Sequence, residues 1–338
     1  MFPSVRGNPY LHPQIEKSLM IEQRTIRGGA SDQEGNHPMK SLILLLLLAF
    51  SGAIILGAIS VFIGLLATGV PVGDLEGALS EGAADVDFLK IVQAGSSIGM
   101  FVLPALLLGI TEKRRHTYLD FKTQVNPSLW FMVVAIMFFS APVFEQAIKL
   151  NEQMRLPEAL SGLENWMKAK ESEQERLTNL LLSDTTYPGL LTSLIVVAVI
   201  AAIGEEFLFR GCVQGILTRW FKNPHTAIWL TAIIFSAIHL QFYGFLPRML
   251  LGALFGYLLF WGKNIWLPVL AHFINNATAT ISAFYLKRQG KSLDELDFSQ
   301  QIPNYLYFTS FVLAAVLLYQ YYKIATKQNT RSYGKTLD

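Results

Sequence analysis

Cysteine is almost missing from this chain: Cys212 stands alone among 338 residues. An intrachain disulfide is therefore impossible, and nothing in the cysteine usage points to an oxidising compartment. Charge is also sparse, at 15% of residues, and no long run of lysine and arginine forms, so the net charge of +2 does not suggest a nucleic-acid partner. HExxH, the helical zinc-protease signature, does not occur. Internal repeats and low-complexity tracts are absent as well. What the chain has in abundance is apolar surface, 52% of residues, gathered into long blocks rather than spread evenly. That clustering excludes an ordinary soluble domain.

Blocks of roughly 17 to 25 apolar residues match the thickness of a hydrocarbon core. They run Ser41 to Val70, Val92 to Ile110, Ser128 to Ile148, Pro188 to Gly204, Thr226 to Leu240, Pro247 to Gly262, Asn264 to Leu286 and Leu306 to Tyr322. The expected fold is an all-α polytopic transmembrane bundle of about eight spans. Its organisation reads as a mobile cytoplasmic tail over 1–40, N-terminal membrane helices over 41–187, a membrane core over 188–286, and a last span with a second cytoplasmic tail over 287–338. The first apolar block follows a long polar stretch and is too long for a signal-peptide core, so it is expected to anchor rather than to be cleaved. Thr226 to Leu240 is the weakest span, because it is short and ends near a histidine.

Residues Arg6 to Lys40 carry five Lys/Arg and Lys113 to Lys122 carry four, Arg219 and Lys222 close the fourth block, and Asp74 to Asp87 is acidic. By the positive-inside rule both termini are expected in the cytoplasm. Between the third and fourth blocks, Leu160, Leu163, Trp166, Met167, Leu177 and Leu181 recur among charges at three- and four-residue steps, which predicts an amphipathic helix over 156–182. Such a helix either covers a membrane cavity or packs on helix ends and shortens an outer loop.

Ionisable groups inside a bilayer cost roughly 2.5 to 3.5 kcal/mol each on insertion scales, so a cluster of them marks a functional interior. Glu205, Glu206 and Arg210 interrupt the fourth block, His239 ends the fifth, and His272 with Asn276 lies within the seventh. His272 and Asn276 share a helix face by their four-residue spacing, as do Glu206 and Arg210. Glu205 and Glu206 point about 100° apart, so one can face a reaction site while the other pairs with Arg210. Counted from the cytoplasmic helix ends at 1.5 Å per residue, Glu205, His239 and His272 lie about 18, 20 and 12 Å deep, within one central slab. This places a shared cavity towards the cytoplasmic half. Taken singly, Glu206 with Arg210 reads as a structural ion pair, His239 as an interhelical hydrogen bond and Asn276 as a packing residue.

At these residues the sequence resembles the CPBP family of intramembrane proteases, which includes the type II CAAX prenyl endopeptidases and the Abi proteins linked to bacteriocin processing and immunity. Glu205, Glu206 and Arg210 match EExxxR, Phe235 and His239 match FxxxH, and His272 and Asn276 match HxxxN/D, in that order. The likeness spans about Pro188 to Leu286. It implies an intramembrane glutamic endopeptidase in a bacterial cytoplasmic membrane, acting on a membrane-tethered peptide among lipids and needing no cofactor. Glu205 is then the general base, His239 holds the same water, His272 and Asn276 stabilise the oxyanion, and Glu206 and Arg210 support them. Three other readings stay open. Glu205, His239 and His272 could ligate zinc with a fourth position free, as in a metalloprotease. The chain could also be a non-catalytic immunity or scaffold protein, or a transporter with a proton-coupled carboxylate, although the repeated topology of transporters is not seen.

Overall fold

The computed structural model describes residues 36–79, 85–112, 118–119, 121, 125–291 and 303–335. The expected tail over 1–40 falls outside these residues as far as position 35, and most of the basic turn at Lys113 to Lys122 does too. Among the described residues the chain is helical, with no strand.

Among the described residues nine longer helices carry the architecture: α1 (Pro38–Thr68), α2 (Val86–Thr111), α3 (Pro127–Glu152), α4 (Ser161–Leu181), α5 (Tyr187–Phe221), α6 (Pro224–Ala237), α7 (Phe245–Gly262), α8 (Trp266–Arg288) and α9 (Asn304–Lys335). Their ends follow local chemistry. Proline occupies the first turn of α1, α3, α5 and α6, where its missing N–H is no loss. Asn126, Thr186 and Asn223 accept hydrogen bonds from otherwise unpaired first-turn N–H groups. Gly69 closes α1 at φ 73°, and Lys222 and Lys263 close α5 and α7 in the same left-handed region.

Among the described residues six helices, α1, α2, α3, α5, α7 and α9, are long and apolar enough to cross a membrane. The expected eight are thus six by this measure. α6 has only 14 residues, a length of about 21 Å against a hydrocarbon core of about 30 Å. α8 has 23 residues, but its middle carries His272, Asn275 and Asn276, which dilute its apolar character. α8 bears His272 of the polar cluster, and His239 follows the end of α6. α1 is apolar all round and shows most of itself outward, with Ile54 and Leu66 each 71% exposed, as a lipid-facing span requires. Besides Leu45 its buried residues are small: Ser41, Gly52, Ser60 and Gly64 lie against α2 and its end. A Cβ on Gly52 would strike the carbonyl of Gly99 in α2, the close backbone approach through which helices associate where lipid removes the hydrophobic driving force.

Among the described residues three packed clusters form, a small one of Ile228, Ala232 and Ala253 where α6 meets α7 and two large ones. One joins α1, α2, α5 and α6 around Leu108, Cys212, Ile216 and Phe235, and the other joins α3, α7, α8 and α9 around Leu129, Ile136, Phe255 and Tyr321. The polar residues of α5 and α8 lie on the seam between them. The amphipathic helix is present as α4, and none of its residues is fully buried.

Candidate active site

α5 runs unbroken through Gly204–Gly211, and the helix loosens to π-helical pitch over Leu194–Ile200 and again over Phe207–Val213. The two glutamates sit on the short α-helical stretch Ala201–Glu206 between these segments. π-helical turns inside α-helices concentrate at functional sites. Gly204 lets α5 approach α2, because a Cβ there would come within 2.9 Å of Phe101.

Glu206 is sealed. Its Oε1 accepts from Arg210 Nη1 at 2.7 Å and from His272 Nδ1 at 2.8 Å. Arg210 also donates to the Gly252 carbonyl at 3.3 Å, and its guanidinium lies 4.4 Å over the Phe235 ring and 5.3 Å from that of Phe255. The fit at Gly252 is close, since a Cβ would meet Arg210 Nη2 and Ala232 at 3.2 Å. Glu205 differs: its side chain keeps 15% exposure where that of Glu206 has none, and its Oε2 faces His272 Nε2 at 3.7 Å. Only Glu205 of the pair is therefore open to a water molecule.

His272 stands between the two clusters, stacked on Phe255 at 5.3 Å and edge-on to Phe235 at 6.1 Å. With Nδ1–H on a carboxylate, its Nε2 is the atom turned to Glu205. His239 lies just past the end of α6, and its Nδ1 donates to the Phe235 carbonyl at 2.7 Å. In a neutral ring this leaves Nε2 as an acceptor. Phe235 joins the two histidines by touching both rings edge-on. Asn276 shares its helix face with His272, but its Nδ2 donates to Val197 in the first π-helical segment at 3.0 Å, and its Oδ1 accepts from Asn275. The structure thus gathers Glu205, Glu206, Arg210 and His272, links His239 through Phe235, and ties Asn276 to α5 backbone nine residues before Glu206.

Among the described residues no three His, Cys, Asp or Glu side chains form a group able to hold a metal ion. The zinc set Glu205, His239 and His272 does not assemble in this geometry.

Several participants carry no motif in the sequence. Asn151, 1% exposed at the end of α3, donates to the Phe242 carbonyl and accepts from Leu246 N–H, and Ser236 donates to the Phe245 carbonyl. Together they fix the turn that follows His239. On α4, Glu171 accepts from Tyr243 N–H and Glu164 from the Tyr243 hydroxyl, so α4 is strapped to that same turn. Gln214 donates to the Gly256 carbonyl one helical step beyond Arg210. The spacing of Glu206, Arg210 and Gln214 was the available signal for the last; Asn151 gave none.

The fold and the site define an integral membrane helical bundle with a buried carboxylate, histidine and arginine cluster. Residues 187–278, which carry all three motifs, match the family described as type II CAAX prenyl endopeptidase Rce1-like. A stretch of 88 residues is 30% identical to the uncharacterized protein YpbD of Bacillus subtilis (strain 168), covering 25% of this chain and 42% of that one. The chain thus matches about two fifths of the length of this curated relative. No solved structure matches.

Proposed function

We propose that the protein is an intramembrane endopeptidase that hydrolyses a peptide bond in a membrane-associated substrate, of CAAX or leader-peptide type, with Glu205 as general base. The observation that carries this reading is the division of labour between adjacent glutamates: Glu206 is closed by Arg210 and His272, while Glu205 remains open beside His272 Nε2. Glu205 takes a proton from water as the oxygen bonds to the scissile carbonyl carbon, then returns it to the leaving nitrogen as the C–N bond breaks. His239, through its accepting Nε2, holds the same water. His272 and Asn276 stabilise the oxyanion. Because Nδ1–H of His272 is held by Glu206, donation from Nε2 requires both ring nitrogens to be protonated, so this role is linked to the charge on the ring. Asn276 acts in the same way once its amide turns from Val197.

Glu205→Gln, His239→Ala and His272→Ala should each abolish cleavage of a membrane-anchored peptide while the purified protein still elutes as a folded species. Near-wild-type turnover by Glu205→Gln would sink the mechanism. The zinc reading is tested on the same preparation: chelation should leave turnover unchanged. One zinc per chain, lost with activity and restored with it, would reassign the protein as a metalloprotease.

A further inference from the structure

Arg248 stands in the first turn of α7, directly after the turn that follows His239. Its Nη2 donates to the neutral Gln241 amide oxygen at 2.5 Å, and its Nη1, shielded from solvent, has no partner. The carboxylates that act on it through space are Glu205 and Glu171, and among the described residues neither forms an ion pair with it. Arg210, the other arginine acting on Glu205, is already closed on Glu206. The site therefore contains a shielded guanidinium with an unused donor and no counter-charge in contact.

We infer that Arg248 anchors a carboxylate of the substrate, held by its guanidinium fork while the bond to be cut lies at Glu205. The inference rests on the proteolytic reading above. A buried cation without a bound anion is costly, and arginine presents two parallel N–H donors that match a carboxylate. Here one arm is taken by an uncharged amide that a carboxylate can displace, and the other is vacant. The guanidinium is held against the backbone of the 241–244 turn: a Cβ at Gly244 would lie 3.0 Å from Nη2 and 3.3 Å from Nη1. That turn, which follows His239, is the one fixed by Asn151 and strapped by α4. The carboxylate comes either from the free C-terminus of the substrate or from an Asp or Glu side chain.

Binding of short lipidated fluorescent peptides to detergent-solubilised Glu205→Gln protein, which does not consume them, separates these sources. One pair differs as C-terminal carboxylate against carboxamide, and a second, amidated pair differs as interior Asp against Asn. In at least one pair the acidic peptide should bind about tenfold or more tightly, and Arg248→Gln added to the same background should erase that preference. Arg248→Lys, which keeps the charge and removes the fork, should retain part of it and shows that loss in the glutamine variant is not misfolding. Equal binding within both pairs, a preference that survives Arg248→Gln, or no measurable binding of any peptide overturns the proposal. Cleavage of the same peptides by protein with Glu205 intact is scored separately. Cleavage without carboxylate preference removes only the role of Arg248, and carboxylate preference without cleavage removes only the proteolytic reading.

Discussion

Glu206 uses one oxygen, Oε1, for both of its partners, while Oε2, equally buried, has none. Removing its charge therefore affects two groups at once. Glu206→Gln should leave Arg210 buried without its counter-charge and destabilise the protein by about 3 to 5 kcal/mol, measured as thermal unfolding in detergent. Glu205→Gln, which breaks no ion pair of this strength, should unfold close to the wild-type temperature. Equal losses in the two variants would contradict the assignment of Glu206 to support and Glu205 to chemistry. At this scale the sequence was informative up to the helix pair: the spacing of Glu206 and Arg210 predicts contact, and they meet at 2.7 Å. It could not show that His272, 66 positions away, binds the same oxygen. It also placed Asn276 beside His272 without showing that its amide is engaged by Val197, because the carbonyl that accepts it belongs to a π-helical turn of another helix.

The short α6 and the turn after it are held by groups from two other helices. Asn151 supplies both a donor to Phe242 and an acceptor for Leu246. Asn151→Ala would leave both backbone groups unpaired, at a cost of about 1 to 3 kcal/mol. Turnover should fall further than binding of the Glu205→Gln probe peptides, because His239 loses its fixed position; unchanged turnover would show that the turn holds itself. The strap from α4 has a pH dependence. Burial pushes the Glu171 carboxyl above its ordinary value, against the opposing pull of Tyr243 N–H and Arg248, with Glu175 and Glu152 adding in the same sense as burial. A carboxyl raised by docking binds its proton more tightly when docked, so docking is strongest at acid pH and weakens as pH rises through the raised value. Hydrogen exchange in α4 should accordingly be slower, after correction for intrinsic rates, near the ordinary glutamate range than at neutral pH. Glu171→Gln should flatten that difference. The amphipathic period of α4 was legible in the sequence. Its attachment to the turn beside His239 was not, since Tyr243 carries no signal of what it will touch.

The whole bundle places α4, the start of α2 and the start of α5 on one face: Lys90 donates to the Gly189 carbonyl and to Thr192. The opposite face gathers Glu112, Ser41, Tyr118 and Arg219, in a network that joins the start of α1 to the ends of α2 and α5. By the positive-inside rule the second face is the one expected in the cytoplasm. Single cysteines at Lys40, exposed at the start of α1, and at Gly73, where a side chain meets nothing within 4 Å, test this in a Cys212→Ser background. In intact cells a membrane-impermeant thiol reagent should label the Gly73 position and spare the Lys40 position. The reverse pattern would invert the topology and put the α4 face, with the turn beside His239, on the cytoplasmic side.

Composition, block length and the three spaced motifs determined that this chain is a helical membrane protein with its polar cluster on α5, just past α6 and on α8, because hydropathy and helical spacing are local properties of the sequence. Tertiary structure decided the rest. It made α6 a short helix, kept His239 beside Phe235, closed Glu206 while leaving Glu205 open, and put Arg248 and Asn151 at the site. Each of these depends on which helix faces fall on the seam between two packed clusters, and that is fixed by contacts such as the close approach of Gly252 to Arg210 and Ala232, between residues far apart in the chain.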